Sequence, residues 1–164
     1  MMRIGHSRDT HRLKKGSSLV LGGIEIPSPY EAVGHSDADC LLHAVSEAIL
    51  GALALKDLGS HFPDTLASNE GLDSKKILGY TVQLMRSKGF ELVNLDATVH
   101  LETPKLSAHI DTMCETIAKI MHLNVGQISI KATTGEKVGP VGRSEAIVAE
   151  CVVLVEKKQR IKPL

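Results

Sequence analysis

The chain has 164 residues, 43% hydrophobic but only 2% aromatic, so its core is expected to be built from Leu, Ile, Val, Ala and Met in one domain spanning 1–164. Its 19 basic and 19 acidic side chains cancel, which removes the broad positive field of a protein held on DNA or on an anionic membrane. With so few rings to stack on bases, neither a nucleic-acid nor a membrane partner is expected, and any anionic ligand must be held by local groups.

Cys40, Cys114 and Cys151 are odd in number, far apart and in no CxxC pattern, so they read as reduced, mostly buried thiols. Met1 to Arg8 lacks an apolar signal core, and the longest apolar run, Ala48 to Leu55, is too short to span a bilayer. A cytoplasmic location is expected, or an organellar one after processing.

In chain order, Arg3 to His6 suits a short first strand, and Ser18 to Pro27 reads as a hairpin turning at Gly22-Gly23. A loop, Ser28 to Asp39, leads to a helix at about Asp39 to Leu55, with Leu42, Val45, Ile49, Leu50 and Leu53 at helical spacing and capping oxygens on Ser36 and Asp39. A second helix is predicted from about Ser74 to Lys88, stopped by Gly89. The segment Leu92 to Leu101 alternates as a strand, with Val93, Leu95, Ala97, Val99 and Leu101 on one face and Asn94, Asp96, Thr98 and His100 on the other. A third helix, about Leu106 to His122, precedes strands at Gln127 to Ala132 and Ala146 to Glu156. The last of these is apolar on both faces except at Glu150, which suits a central position. The pattern predicts an α+β, two-layer sandwich: a mixed sheet with three helices on one face. The polar face of strand 92 to 101 then calls for a partner, and oligomerisation supplies one.

Five segments could carry chemistry. Asp9 and His11 are two apart, so in extended backbone their side chains project to one side and can grip one cation; two surface residues describe the pair equally well. His35-Ser36-Asp37-Ala38-Asp39, with His43, places imidazoles and carboxylates around a helix start, where a phosphate could sit beside a metal; plain helix capping with a core histidine is the other reading. Asp9, His11 and His43 together would supply three nitrogen and oxygen ligands, a mix that favours Zn²⁺ and leaves one position open for chemistry. Asp57-Leu58-Gly59 and Phe62-Pro63-Asp64-Thr65 suit hydroxyl recognition or a connecting turn. Lys131 to Gly139 lacks the GxxxxGK[ST] order, yet Thr133 and Thr134 could donate to a diphosphate and Glu136 could hold a bridging divalent ion; a Thr-rich turn with solvated charges is the alternative. Arg143 could bind an anion or pair with a carboxylate.

Taken in order, Gly5-His6…Asp9-x-His11, His35-Ser36-Asp37-x-Asp39…His43, Asp57-x-Gly59…Phe62-Pro63-Asp64-Thr65, Pro104-Lys105 and Lys131-Ala-Thr-Thr-x-Glu136-Lys137…Gly142-Arg143-x-Glu145 resemble the 2-C-methyl-D-erythritol 2,4-cyclodiphosphate synthases along almost the whole chain. The resemblance implies a phosphorus-oxygen lyase of the non-mevalonate isoprenoid route. It would cyclise 4-diphosphocytidyl-2-C-methyl-D-erythritol 2-phosphate with release of CMP, as a homotrimer with sites between subunits. It further implies Asp9, His11 and His43 as Zn²⁺ ligands and Glu136 as a ligand of a second ion, Mg²⁺ or Mn²⁺. His35 and Thr134 match transition-state groups, Ser36 a phosphate donor, and Asp57, Leu58 and Gly59 the methylerythritol contacts. Asp9, Thr10, His11 and Phe62 to Thr65 would line the same pocket. Leu101, Pro104, Lys105, Leu106, Ser107 and Thr133 match the cytidine and diphosphate side, with cytosine read by backbone groups, and Arg143 would contribute to anion binding. Ser7, Arg8 and Thr10 depart from the family's usual Gly, Phe and Val. Gly135 departs from Thr or Asn, and Pro140 from an aromatic near the trimer axis.

The ligand set alone would also permit a zinc phosphohydrolase using metal-bound water, although no separate general base is placed by motif nearby. A trimeric binding protein with a purely structural zinc is the non-enzymatic alternative, and it would need a fourth protein ligand such as His35 or Asp37.

Overall fold

The structure, a computed structural model, describes residues 1–63, 65, 66 and 69–158. Strand β1 (Met2–Lys15) pairs antiparallel with the last strand, β7 (Ala146–Lys157), from Met2 against Glu156 to Arg12 against Ala146. Its far end pairs with a short edge strand, β4 (Tyr30–Val33). On the other side of β7 lies β5 (Phe90–His100), antiparallel to it, and then β6 (Ile128–Thr133), parallel to β5. The order β4-β1-β7-β5-β6 makes a mixed five-stranded sheet with the apolar last strand at its centre, the position its two-sided apolar pattern predicts. A separate hairpin, β2 (Ser18–Leu21) with β3 (Ile24–Pro27), turns at Gly22 and Gly23, both at positive φ as a two-residue turn of this kind requires.

Three long helices cover one face: α1 (Cys40–Ala52), then, beyond the one-turn α2 (Leu58–His61), α3 (Ser74–Ser87) and α4 (Ile110–Met121). Helix α1 sits on β1 and β7, and its Leu41, Leu42, Val45, Ile49 and Leu50 are 0% exposed. Each such side chain contributes about 1.5–3 kcal/mol on burial. Gly5 on β1 lies directly beneath the backbone of α1, where a Cβ would fall 1.9 Å from the Ala48 carbonyl oxygen. Ser7, Asp9 and His11 follow Gly5 on this inner face by the two-residue strand repeat.

The opposite face has no covering layer among the described residues. It carries His6, Arg8, Thr10 and Arg12 from β1, Asp96 and Thr98 from β5, and Lys131 from β6, with Ile4 71% and Val152 44% exposed among them.

Several boundaries differ from the sequence expectations. The first strand runs to Lys15 rather than ending at His6, because its inner face is built from Gly5, Ser7, Asp9 and His11, which give no apolar alternation. The loop from Ser28 holds β4, and the Lys131 to Gly139 loop leads into a second one-turn helix, α5 (Gly139–Gly142). A bulge between Leu92 and Asn94 takes Val93 off the buried face, where Leu92 stands in its place. Helix α4 starts at Ile110, after a turn closed by the His109 N–H to the Leu106 carbonyl. Cys40, Cys114 and Cys151 are buried free thiols.

Candidate metal centre and substrate pockets

Helix α1 is placed against β1 by its N-terminus as well as by its apolar face. The Asp39 carboxylate, 0% exposed, accepts the Leu42 N–H at 2.9 Å and also the turn N–H groups of Gly22 at 3.0 Å and Gly23 at 2.7 Å. One side chain therefore caps the helix and anchors the β2–β3 hairpin, and the helix presents His43 one turn further on.

His43 meets Asp9 and His11 there. His11 Nε2 lies 2.9 Å from Asp9 Oδ2, and His43 Nδ1 lies 3.2 Å from both Asp9 Oδ2 and His11 Nε2. The other nitrogen of each ring is engaged elsewhere. His11 Nδ1 donates to the Val33 carbonyl at 2.9 Å, while His43 Nε2 faces Ser74 Oγ at 2.9 Å and Ser36 Oγ at 3.0 Å. With both rings neutral and so oriented, the three converging atoms carry lone pairs, and electron-rich atoms this close need a proton or a cation among them. Zn–N and Zn–O bonds of about 2.0–2.1 Å in a tetrahedron put ligand atoms about 3.3 Å apart, which these spacings approach, and two imidazoles with a carboxylate suit zinc. Among the described residues no fourth His, Cys, Asp or Glu joins the cluster. Cys40 is near, but its thiol donates to the Asp9 carbonyl at 3.3 Å, and burial, with the Asp9 charge, pushes its pKa up.

Burial alone would raise the Asp9 carboxyl, but the His11 and His43 imidazoles beside it outweigh that and hold Asp9 well below the usual carboxylate range. Burial likewise opposes charge on His11, yet the bond to Asp9, its charge and the Val33 carbonyl leave that imidazole above its ordinary value.

The cluster opens onto a cavity of about 550 Å³ lined by Asp9, His11, His35, Ser36, His43, Asp57, Leu58, Gly59 and Phe62 from the predicted set. Glu47, Asn69, Leu72 and Ile77 also line it. The sequence reading missed Glu47, although it stands one helical turn after His43 on the same face of α1, a spacing that was available as a signal. Burial, then the charges of Asp9 and Asp57, push its carboxyl up. Asp57 caps α2 through Ser60, whose N–H at 2.8 Å and hydroxyl at 2.6 Å both donate to Oδ1.

A second cavity, about 460 Å³, gathers Leu101, Pro104, Lys105, Leu106, Ser107, Thr133, Thr134 and Glu136, with Ile110 and Ala132. Thr134 Oγ1 donates to Glu136 Oε1 at 2.8 Å. Buried Glu102 holds this loop by accepting the Gly135 N–H at 3.1 Å and pairing with Lys137 Nζ at 2.5 Å, and Glu136 and Lys137 in it take a left-handed backbone. The two cavities share no lining residue.

Four predicted residues fall outside both cavities. Thr10 projects from the uncovered sheet face and borders a separate depression with Arg12 and Pro140. Arg143 makes a two-pronged pair with Glu145 at 2.9 Å through Nε and Nη2, the salt-bridge use of that side chain. Pro63 and exposed Thr65 lie on the loop after α2 without lining either cavity. Asp64 lies outside the described residues.

What the fold and the cluster define is an α+β enzyme with an open three-ligand site suited to a metal, at the mouth of a cavity large enough for a small organic substrate. The YgbB family model matches residues 2–156, and the chain belongs to that family. A relative from Natranaerobius thermophilus, 52% identical over 156 residues covering 95% of this chain and 99% of its own, is named 2-C-methyl-D-erythritol 2,4-cyclodiphosphate synthase. A solved synthase of that name in a CDP-bound form matches with a TM-score of 0.87 and 34% identity over 94% of this chain and 100% of its own. The bifunctional IspDF of Campylobacter jejuni matches with a TM-score of 0.93 and 33% identity over 97% of this chain, which spans 43% of that longer protein.

Proposed function

We propose that the protein converts 4-diphosphocytidyl-2-C-methyl-D-erythritol 2-phosphate into 2-C-methyl-D-erythritol 2,4-cyclodiphosphate and CMP, in the non-mevalonate route to isoprenoid precursors. The observation that carries this reading is the convergence of Asp9 Oδ2, His11 Nε2 and His43 Nδ1 at the mouth of a polar cavity, in a chain of the YgbB family. Asp9, His11 and His43 would hold Zn²⁺, which would supply Lewis acidity toward a phosphate oxygen, and Glu136 would hold Mg²⁺ or Mn²⁺, which would neutralise charge on the diphosphate.

The substrate's own 2-phosphate is the nucleophile toward the β-phosphorus, so the chain supplies alignment and charge control rather than a covalent catalyst. Ser36 and His35 donate to the phosphate, Asp57 with the Leu58–Gly59 backbone binds the methylerythritol hydroxyls, and Phe62 closes the apolar side. Thr133 and Thr134 donate to the diphosphate. Lys105 pairs with it, while backbone groups of Leu101 and Pro104 to Ser107 read cytosine. Separation of CMP follows as the β-phosphorus to α-oxygen bond breaks.

Because the two cavities share no residues, each is read as half of a site completed by a neighbouring subunit in a cytoplasmic homotrimer. The uncovered sheet face supports this reading, since Ile4 and Val152 are exposed on it.

The test is incubation of the purified protein with the diphosphocytidyl substrate, Zn²⁺ and Mg²⁺, followed by ³¹P NMR and nucleotide chromatography. The cyclic diphosphate and CMP are expected in equal amounts, and His43→Ala is expected to lose both zinc and turnover while keeping the parent's oligomeric mass. Inorganic phosphate in place of CMP would make the protein a phosphohydrolase. Bound zinc without turnover would make it a binding protein.

A further inference from the structure

The two histidines of the metal cluster are oriented by different kinds of partner. His11 hands its Nδ1 proton to a main-chain carbonyl, that of Val33. His43 instead turns Nε2 toward two side-chain hydroxyls, and one of them is committed in advance. Ser74, the first residue of α3 and 0% exposed, donates its own hydroxyl proton to Asp37 Oδ1 at 2.5 Å. Its oxygen, 2.9 Å from His43 Nε2, therefore faces the ring as an acceptor. The same carboxylate fixes the hydroxyl in place, since Asp37 Oδ2 accepts the Ser74 N–H at 3.0 Å and the Asp37 N–H donates to the Leu72 carbonyl at 3.2 Å.

We infer that Asp37 and Ser74 form a positioning relay that locks His43 as its Nε2–H tautomer, keeps Nδ1 bare toward Asp9 and His11, and turns the hydroxyl proton of Ser36 into the substrate cavity. The last step follows from the first. Ser36 Oγ lies 3.0 Å from Nε2 and accepts the Ala38 N–H at 3.2 Å, so with Nε2 protonated its hydroxyl hydrogen has no use on the ring side. The cavity that Ser36 lines is the remaining direction. Neither Ser74 nor Asp37 lines that cavity, and a hydroxyl 31 residues from its histidine gives no sequence signal.

The inference rests on the reading of Asp9, His11 and His43 as a zinc site, but the tautomer can be measured without metal. Long-range ¹H–¹⁵N spectra of the metal-free protein, recorded where His43 is neutral and assigned with His43→Gln, are expected to show a proton on Nε2 and none on Nδ1. In Ser74→Ala the two tautomers are expected to mix, and zinc affinity, measured by competition with a chromophoric chelator, to fall about 10- to 100-fold. Ser74→Thr, which keeps the hydroxyl, is expected to restore the single tautomer. A proton on Nδ1 in the parent overturns the relay whether or not Ser74→Ala folds, as does a Ser74→Ala protein with the parent's tautomer and zinc affinity. A parent that shows the Nε2–H tautomer yet binds no zinc would overturn the metal reading and leave the relay standing.

Discussion

Adding one methyl group to Gly5 should damage a metal site whose ligands it never touches. A Cβ at Gly5 would lie 1.9 Å from the Ala48 carbonyl oxygen, 2.8 Å from the Ala52 nitrogen and 2.9 Å from the Ala48 carbonyl carbon, all backbone of α1. Contacts below 3.0 Å essentially do not occur for real Cβ atoms, so β1 and α1 must separate by at least about 1.1 Å at this point. The helix cannot simply lift, because Ala44, Val45, Ala48 and Ile49 are 0% exposed and Asp39 pins its N-terminus. Overpacking against a backbone with no rotamer to yield should cost about 3 kcal/mol, the upper part of the usual range. For a domain this size that lowers the melting temperature by roughly 6–12 °C. The helix should respond by tilting about its pinned end, and metal ligands tolerate only about 0.2 Å of error. A tilt that passes a fifth of the displacement on to His43 already exceeds that tolerance, so zinc affinity should fall about tenfold or more. Gly79 on α3 is the internal control: nothing lies within 4 Å of its Cβ position, and alanine there should stabilise by about 0.5–1 kcal/mol. Urea unfolding of Gly5→Ala and Gly79→Ala, with chelator competition for zinc, separates the two. If Gly5→Ala unfolds at the parent's urea concentration with the parent's zinc affinity, the close approach of β1 and α1 is not what positions His43.

Three further outcomes are expected. Asp39→Ala strips the acceptor from the N–H groups of Gly22, Gly23 and Leu42, so it should lose roughly 3–6 kcal/mol in urea unfolding, with Asp39→Asn losing less; an unchanged midpoint would contradict the pinning role. In metal-free protein the His11 imidazole is held above 6.5, so its contribution to stability is complete below about pH 6.5 and is lost as pH rises through the raised folded value. The lowered Asp9 carboxyl contributes above its ordinary 3.8, and that contribution is lost as pH falls through the lowered value. Zinc bound at this cluster would displace the His11 proton, so the gap between melting temperatures with zinc and with chelator should widen from about pH 5.5 to about pH 8, and a narrowing gap would refute the assignment. Glu136→Gln should raise the Mg²⁺ concentration needed for half-maximal turnover while leaving zinc affinity alone, because Glu136 lines the other cavity; a parental Mg²⁺ titration would remove its metal role.

How much of this was legible in the sequence depended on whether a residue's partner is near it along the chain. Asp9 and His11 could be paired by the two-residue strand repeat, and the hairpin by its Gly22-Gly23 turn, since both are local geometry. The helices at Cys40 and Ser74 could be found because their apolar faces recur at helical spacing, although α4 began four residues later than expected, after the turn at Leu106. Strand β1 beyond His6 could not, because a face made of Gly5, Ser7, Asp9 and His11 is buried under a helix without being apolar. The sequence gives no reason for Gly5, since a helix backbone pressed on its Cα is a tertiary fact. Glu47 was within reach of a helical-repeat argument from His43, whereas Ser74 was not. The Asp39 carboxylate was read as a cap, and its second task, holding the Gly22-Gly23 turn, needed the hairpin folded over the helix start.

Charge makes the site harder to reconcile with a phosphate substrate than its shape does, and this is where the metal reading gains most. The metal-side cavity is lined by Asp9, Glu47 and Asp57, with no Lys or Arg among its described lining residues. Asp9 stays ionised because its carboxyl is held low, so an anion entering beside it meets repulsion. A protein with equal numbers of acidic and basic side chains has no global field to offset this. Instead of cations from its own side chains, the chain offers on this side a cluster of metal-ligating groups, so that one divalent ion bound there would reverse the local sign. The rigid arrangement of those groups then matters more than their number. His11 is fixed by a main-chain carbonyl that no side-chain change removes, so the adjustable part of the site is His43, held by α1, Asp39, Ser74 and Asp37. Changes far from the cavity should therefore reach the metal through that one imidazole.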